Sequence, residues 1–191
     1  MAARGQLTVR PLTPGRWKDF EALFGERGAC AGCWCMWWRR RGAAWREGQG
    51  DKNRKAMRAL VADDGPPPGL LAYVGREAVG WMAVAPRADY VRLAHSRVLA
   101  PVDAAPVWSI TCFFVRAGAR GQGVSKALVT AAAAFAKKHG ARELEAYPID
   151  TRGRRGVGVF LYTGTLTMFE AAGFAEVARR SPTRPIVRRK V

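Results

Sequence analysis

Acidic residues are scarce in this chain. Only 15 Asp and Glu stand against 32 Lys and Arg in 191 residues, a formal charge of +17 at neutral pH. Such a balance favours anionic partners, whether a polyanionic small molecule, nucleic acid or an acidic protein surface, without choosing among them. The same arginine-rich composition, with abundant Ala and Gly, is also what a GC-rich coding sequence yields. Histidine is scarcer still, with only His95 and His139. A single histidine in a loop, where His95 falls, is more often a surface residue than a base, and nearby Asp89 has no stronger warrant. Long apolar runs are missing: none approaches the ~20 residues of a membrane span, and MAARGQLTVR lacks the apolar centre of a secretory signal. A soluble, cytoplasmic protein with no membrane partner is expected. Cysteine is limited to four residues, three of them in Cys30-Ala31-Gly32-Cys33-Trp34-Cys35. A closed zinc or iron site would need a fourth ligand, and only Cys112, His95 and His139 remain to supply it. Without a secretory signal, structural disulfides are not expected either. Reduced thiols in a packed loop, with no metal, are the reading.

Nearly half of the residues are hydrophobic, at 49%, and the 11 prolines are scattered, with no internal repeat or low-complexity tail. That is enough for one well-cored domain over residues 1–191. Leu7, Val9 and Leu12 alternate as in a first strand. Thr13-Pro14 then suits an N-cap followed by the first helical position, opening a helix with Trp17, Phe20, Leu23 and Phe24 on one side. Asp51–Val61 reads as a second amphipathic helix, broken by the loop from Asp63 to Gly69. Leu70–Val74 and Ala78–Val84 flank Gly75-Arg76-Glu77 as a hairpin, with a bulge suggested at Gly80. Further on, Glu143–Pro148 reads as a short parallel strand and Thr151–Gly158 as a basic, glycine-rich loop. A helix over Thr163–Ala172 precedes two final strands, Phe174–Ala178 and Ile186–Arg189.

The most informative stretch is Val107–Gly140. β-Branched and aromatic residues over Val107–Val115 favour a strand. Gly118, Gly121 and Gly123 then make a turn, and Val124, Leu128, Ala131 and Phe135 recur at helical spacing up to a stop at Gly140. A helix N-terminus behind glycines offers unpaired N–H groups and the positive end of the macrodipole, a natural seat for a pyrophosphate. Arg120 and Lys126 add charge at its rim. Glycine spacing alone equally fits a solvated turn that binds nothing.

Arg120-Gly121-Gln122-Gly123-Val124-Ser125, following Phe113-Phe114-Val115, resembles the acetyl-coenzyme A loop of GCN5-related N-acetyltransferases. That pattern is Arg or Gln, two residues, Gly, one residue, then Gly or Ala; Ser125 departs from the last position but is small. Thr165-Leu166-Thr167-Met168-Phe169-Glu170-Ala171-Ala172-Gly173-Phe174 resembles the same family's last helix and its Gly-Phe entry into the next strand. The resemblance implies an α/β (α+β) domain with a mixed, mainly antiparallel sheet flanked by helices. Residues 6–62 would form its acceptor side, 107–140 its acetyl-CoA strand, loop and helix, and 141–191 its C-terminal half.

It further implies acetyl transfer from acetyl-CoA to a small-molecule or protein amine by direct attack. Backbone groups of Phe113, Phe114 and Val115 would align the pantetheine arm, and Arg120, Gly121, Gln122, Gly123, Val124, Ser125 and Lys126 would hold the pyrophosphate. The proton for the departing thiolate is open, because Phe169 stands where the family commonly has Tyr. Tyr162 and Tyr147 are the substitutes, with Cys112, Ser109 and Thr111 on the central strand. Trp34, Trp37, Trp38 and Trp45 would wall the acceptor side, where a basic substrate would stack by cation–π contact. A coenzyme A or metabolite sensor that has lost its acid, and more remotely a nucleic-acid-binding module, are the alternatives. Protein purified without added zinc is expected to carry no stoichiometric metal, and chelation to leave its melt unchanged; a metal whose removal unfolds the chain would make Cys30–Cys35 a metal knuckle.

Overall fold

The computed structural model describes residues 6–152 and 161–191, so positions 153–158 of the expected glycine-rich loop lie outside the described residues. Seven strands form one sheet: β1 (Leu7–Pro11), β2 (Gly69–Val74), β3 (Glu77–Pro86), β4 (Trp108–Val115), β5 (Glu143–Ala146), β6 (Ala175–Arg179) and β7 (Pro185–Lys190). Their order is β1-β2-β3-β4-β5-β7-β6. Every neighbouring pair is antiparallel except β4 and β5, which run parallel. The connection between those two is α5 (Val124–Lys138), the crossover that a parallel pair requires. The remaining helices are α1 (Trp17–Phe24), α2 (Gly42–Arg46), α3 (Asp51–Ala62), α4 (Val91–Ala94) and α6 (Leu166–Glu170). The mixed, mainly antiparallel sheet flanked by helices is the architecture that the sequence led us to expect.

Side chains alternate across the strands and divide the core. On one face Met82, Ile110 and Phe113 pack with Leu128, Val129 and Ala132 of α5. Gly80 lets that helix lie close, since a Cβ there would meet Val124 Cγ1 at 2.4 Å. On the other face Trp81 and Ala83 pack with Phe20, Leu23, Trp34 and Met57. A third cluster gathers Trp38, Tyr90, Leu93, Tyr147 and Ile186.

Local details depart from the sequence reading. Thr13 does not cap the first helix: a 3-10 turn over Pro14–Arg16 intervenes, and the Thr13 hydroxyl instead accepts a bond from Arg16 Nη1 at 3.1 Å. The suggested bulge falls beside Gly80, because Ala72 opposes Gly80 and Tyr73 opposes Ala78, leaving Val79 over. A second bulge leaves Thr111 over on β4, where Ala83 faces Cys112 and Val84 faces Ile110. The expected helix Thr163–Ala172 shrinks to α6, since Gly164 takes a left-handed φ of 82° that ends any earlier helical run.

One buried charge cluster ties the lower half of the sheet together. Glu145 is fully buried, and its Oε1 accepts from the Tyr147 hydroxyl at 2.6 Å and from Arg87 Nη1 at 2.6 Å. Its Oε2 accepts from Arg188 Nε at 2.7 Å. Arg188 also holds Asp103 at 2.7 and 3.0 Å, and the Ser109 hydroxyl lies 2.7 Å from that of Tyr147. A carboxylate out of water is tolerated only with such partners. Glu145→Gln keeps the shape but strands the Arg87 charge and leaves Arg188 only Asp103 and Glu143, so urea unfolding should show a loss of roughly 3 kcal/mol; an unchanged midpoint would mean that the cluster does not stabilise the sheet.

Candidate functional site

β4 and β5 pair at only three positions, Trp108 with Leu144, Ser109 with Glu145 and Ile110 with Ala146. Immediately beyond comes the Thr111 bulge, and a bulge bends and twists its strand. The two strands part there, leaving backbone groups of Phe113–Val115 facing a gap instead of a neighbour. Residues 162–166 lie in that gap. Phe113 N–H donates to the Tyr162 carbonyl at 2.6 Å, Ile149 N–H to the Gly164 carbonyl at 2.9 Å, and Leu166 N–H to the Ile149 carbonyl at 3.0 Å. Phe113 N–H was expected to be free to align a pantetheine arm; the chain itself engages it here.

At the end of β4 the loop turns sharply through Gly121 and Gly123, with left-handed φ of 73° and 80° and nothing within 4 Å of where a Cβ would sit. Arg120 Nε bonds back to the Val115 carbonyl at 3.1 Å, and Gln122 Nε2 to the Gly118 carbonyl at 2.7 Å. Among the described residues, no backbone or side-chain acceptor meets the N–H groups from Gly121 to Lys126. Six consecutive free amides at the start of a fifteen-residue helix, with exposed Lys126 beside them, suit a pyrophosphate in hydrogen-bond capacity and in charge. Val124 is buried against the sheet and acts as the helix's anchor, while Ser125 is half-buried.

The two tyrosines singled out by sequence have different surroundings. Tyr147 is fully buried, its hydroxyl shared among Ser109, Glu145 and Arg87, and burial followed by the Glu145 charge pushes its pKa well above the usual phenol value. It belongs to the charge cluster rather than to the gap. Tyr162 is half-buried at the gap, its ring centroid 6.4 Å from that of Trp38, and burial raises its hydroxyl's pKa above the usual phenol value. Phe169 is core, meeting Phe113 edge-on at 6.1 Å and Phe174 at 5.0 Å. His95 is exposed and bonded to the Val91 carbonyl, and Asp89 is paired with Arg39 at 3.2 Å.

The aromatic segment before α2 divides in two. Trp34 is core, stacked on Phe24 at 5.7 Å, and the Trp38 indole is buried. Trp37 and Trp45 are half-buried and meet edge-on at 5.0 Å. One face of Trp37 is already occupied: the Arg92 guanidinium lies 3.5 Å over that ring and 5.7 Å from that of Trp45, and it donates to the Trp37 carbonyl. Arg39 lies 4.8 Å over Tyr90. Nothing local in the sequence linked Arg92 to these tryptophans.

The thiols sort by environment. Cys30 is exposed, and Cys35 is buried and accepts from the Trp81 indole N–H at 3.1 Å. A hydrogen bond from Cys112, with help from Trp81 and the Arg39 charge, lowers the Cys35 pKa against its burial. Burial first, then the neighbouring Cys35, pushes Cys33 up to about 11. Among the described residues, no group of three or more His, Cys, Asp or Glu is arranged to hold a metal, and no helix is long and apolar enough to cross a membrane.

Comparison with known proteins follows this geometry. The family model described as "Acetyltransferase (GNAT) family" matches residues 32–162. A solved acetyltransferase from Thermus thermophilus is similar with TM-score 0.54 and 16% identity, over 99% of this chain and 100% of that one. A GCN5-related N-acetyltransferase from Kribbella flavida aligns with TM-score 0.55 and 18% identity over 97% and 98% of the two chains. An agmatine N-acetyltransferase mutant gives 0.56 at 10% identity, over 97% and 99%. No curated protein matches in sequence. At these identities the solved structures speak for the fold alone.

The thiol environments give an ordered reactivity. At pH 8 an alkylating reagent should label Cys30 first, whereas Cys33, protonated until pH nears about 11, should gain label only as the pH climbs toward that value. Peptide mapping by mass spectrometry reads this directly, and equal labelling of Cys30 and Cys33 at pH 8 would contradict the half-buried placement of Cys33 and its raised pKa.

Proposed function

This chain belongs to the acetyltransferase (GNAT) family, and from that premise we propose that it transfers the acetyl group of acetyl-CoA to an amine, with the cofactor's pyrophosphate on the Gly121–Lys126 amides. The single observation that carries the reading is the run of six unpartnered N–H groups at the head of α5, directly after a strand that has parted from its parallel neighbour. Either feature alone has ordinary explanations. Together they join an anion seat to an extended edge, which is what a diphosphate continued by an amide-bearing arm requires.

Acetyl-CoA supplies an acetyl thioester: a C–N bond to the amine forms, the C–S bond breaks, and the departing thiolate takes a proton. What the chain contributes is orientation, exclusion of water and a proton donor. Phe113, Phe114 and Val115 offer the strand edge along which the arm would lie. Because Phe113 N–H is bonded to the Tyr162 carbonyl, placing the arm there requires that bond to open, with left-handed Gly164 next to it able to absorb the backbone change.

We assign Tyr162 as the proton donor of this reading, since it is the phenol whose backbone lies in the gap, and a phenol carries its proton at neutral pH. Tyr147, with its hydroxyl held by three neighbours, is assigned to stability. Aligning the reactants and supplying this proton are distinct contributions, so Tyr162→Phe should lower kcat while leaving acetyl-CoA affinity near wild type.

Acetyl-CoA calorimetry tests the seat. Valine at position 123 must adopt a φ that β-branched residues avoid, which turns the amides away, so Gly123→Val should weaken binding about tenfold or more. Lys126→Ala removes one exposed charge and should cost only a few-fold, ~5 or less. Equal binding by wild type and a folded Gly123→Val protein would remove the loop from the cofactor site.

A further inference from the structure

The acceptor side is lined with unmatched positive charge. Arg184 is half-buried beside Tyr162, where its Nη1 donates to the Thr163 hydroxyl at 3.2 Å. Arg92 is half-buried on the Trp37 ring, next to the Trp38 that packs on Tyr162. Neither guanidinium meets a carboxylate among the described residues. Residues 1–5 and 153–160 contain no Asp or Glu, so the chain outside the described residues has no carboxylate side chain to offer.

Other arginines around the same cluster are matched. Arg39 has Asp89 at 3.2 Å, Arg87 has Glu145 at 2.6 Å, and Arg188 has Asp103 and Glu145 at 2.7 Å each. Burial lowers the pKa of both Arg92 and Arg184; Arg41 adds to the effect on Arg92, and the Tyr162 phenol acts in the other direction on each. A guanidinium drawn out of water without a counter-charge is costly, and its fork matches a carboxylate or phosphate. Close by, the buried Trp38 Nε1 also lacks a partner, whereas the Tyr90 and Thr111 hydroxyls are near enough to bond to each other. The Trp38 side chain is more than nine-tenths buried. Buried polar atoms seldom go unpaired in a finished core.

We propose that the acceptor is an amine that also carries an anionic group, a carboxylate or phosphate, held by Arg184 and Arg92 beside Tyr162. This inference rests on the acetyl-transfer reading and names the substrate class of that same site. It replaces the cationic acceptor that the tryptophan-rich sequence suggested, because the aromatic face that would have received such a cation already carries Arg92. Trp38 Nε1 is then a hydrogen-bonding group for the acceptor's polar part.

Four probes of similar length separate the classes: 3-aminopropanoate, 2-aminoethyl phosphate, propylamine and 1,3-diaminopropane, with acetyl-CoA-dependent thiol release as the rate. Either anionic amine should exceed both others in kcat/KM, and which of the two does so distinguishes carboxylate from phosphate. Independently of turnover, succinate or inorganic phosphate should quench tryptophan fluorescence saturably. Arg184→Gln should weaken that binding about tenfold or more, lower the 3-aminopropanoate or 2-aminoethyl phosphate preference over propylamine by a similar factor, and leave acetyl-CoA affinity by calorimetry unchanged. Arg184→Lys, which restores charge without the fork, should recover part of the loss, and Arg92→Gln should repeat the effect should Arg184→Gln fail to fold. Propylamine or 1,3-diaminopropane as the better acceptor, absence of saturable anion binding, or a loss of acetyl-CoA affinity in Arg184→Gln would each overturn the inference. Failure of wild-type protein to bind acetyl-CoA, with anion quenching intact, would instead count against the acetyl-transfer reading alone.

Discussion

The rest of the molecule depends on a sheet that is closed at one end of β4 and β5 and open at the other. Parallel pairing survives for three residues and stops at the extra residue Thr111. A strand edge with unpaired N–H and C=O groups inside a protein must be met by something. Here a returning segment of the chain, residues 162–166, meets it. Under the proposed function, a cofactor with amides of its own would be the other way to satisfy the same groups, and it would compete with Tyr162 for Phe113 N–H.

Opening at one end is tolerable because the other end is fixed. Glu145, with Tyr147, Arg87 and Arg188, joins β4, β5, β7 and the preceding loops through bonds of 2.6 to 2.7 Å. Buried ion clusters add little net stability over apolar packing but penalise alternatives that break them. That suits a region where strand register must not slip while the neighbouring backbone stays unpaired. On the opposite face, α5 lies close over Gly80, so the amides at its head are held in line with the gap.

Electrostatics on the two sides of the gap are alike in sign but differ in origin. At the head of α5 the positive potential comes from backbone dipoles and does not depend on which side chains are present, apart from the requirement for glycine at left-handed turns. Around Tyr162 it comes from guanidinium groups placed by tertiary packing, Arg92 on the Trp37 ring and Arg184 on the Thr163 hydroxyl. The first kind of site needs only the turn, so the seat proposed for a diphosphate depends on backbone geometry. The second can vary from one member to the next, which is consistent with one fold serving many acceptors.

Strand Val107–Val115, the glycine turn and helix Val124–Gly140 were legible in the sequence because β-propensity, left-handed glycines and helical periodicity act over a few neighbouring residues. The two-motif resemblance gave the family, and with it the mixed sheet. Tertiary structure alone decided the rest, because the deciding contacts join residues far apart in the chain. Arg92 reaches Trp37 across 55 positions, Arg188 reaches Glu145 across 43, and Tyr162 reaches Phe113 from beyond α5 and β5. So a tyrosine that looked catalytic, Tyr147, became part of a buried ion cluster, and an aromatic wall that looked fit for a cation had its face covered by the chain's own arginine. Local propensity sets which elements form; which charge ends beside which ring is fixed only when distant elements pack and each buried polar group must find a partner.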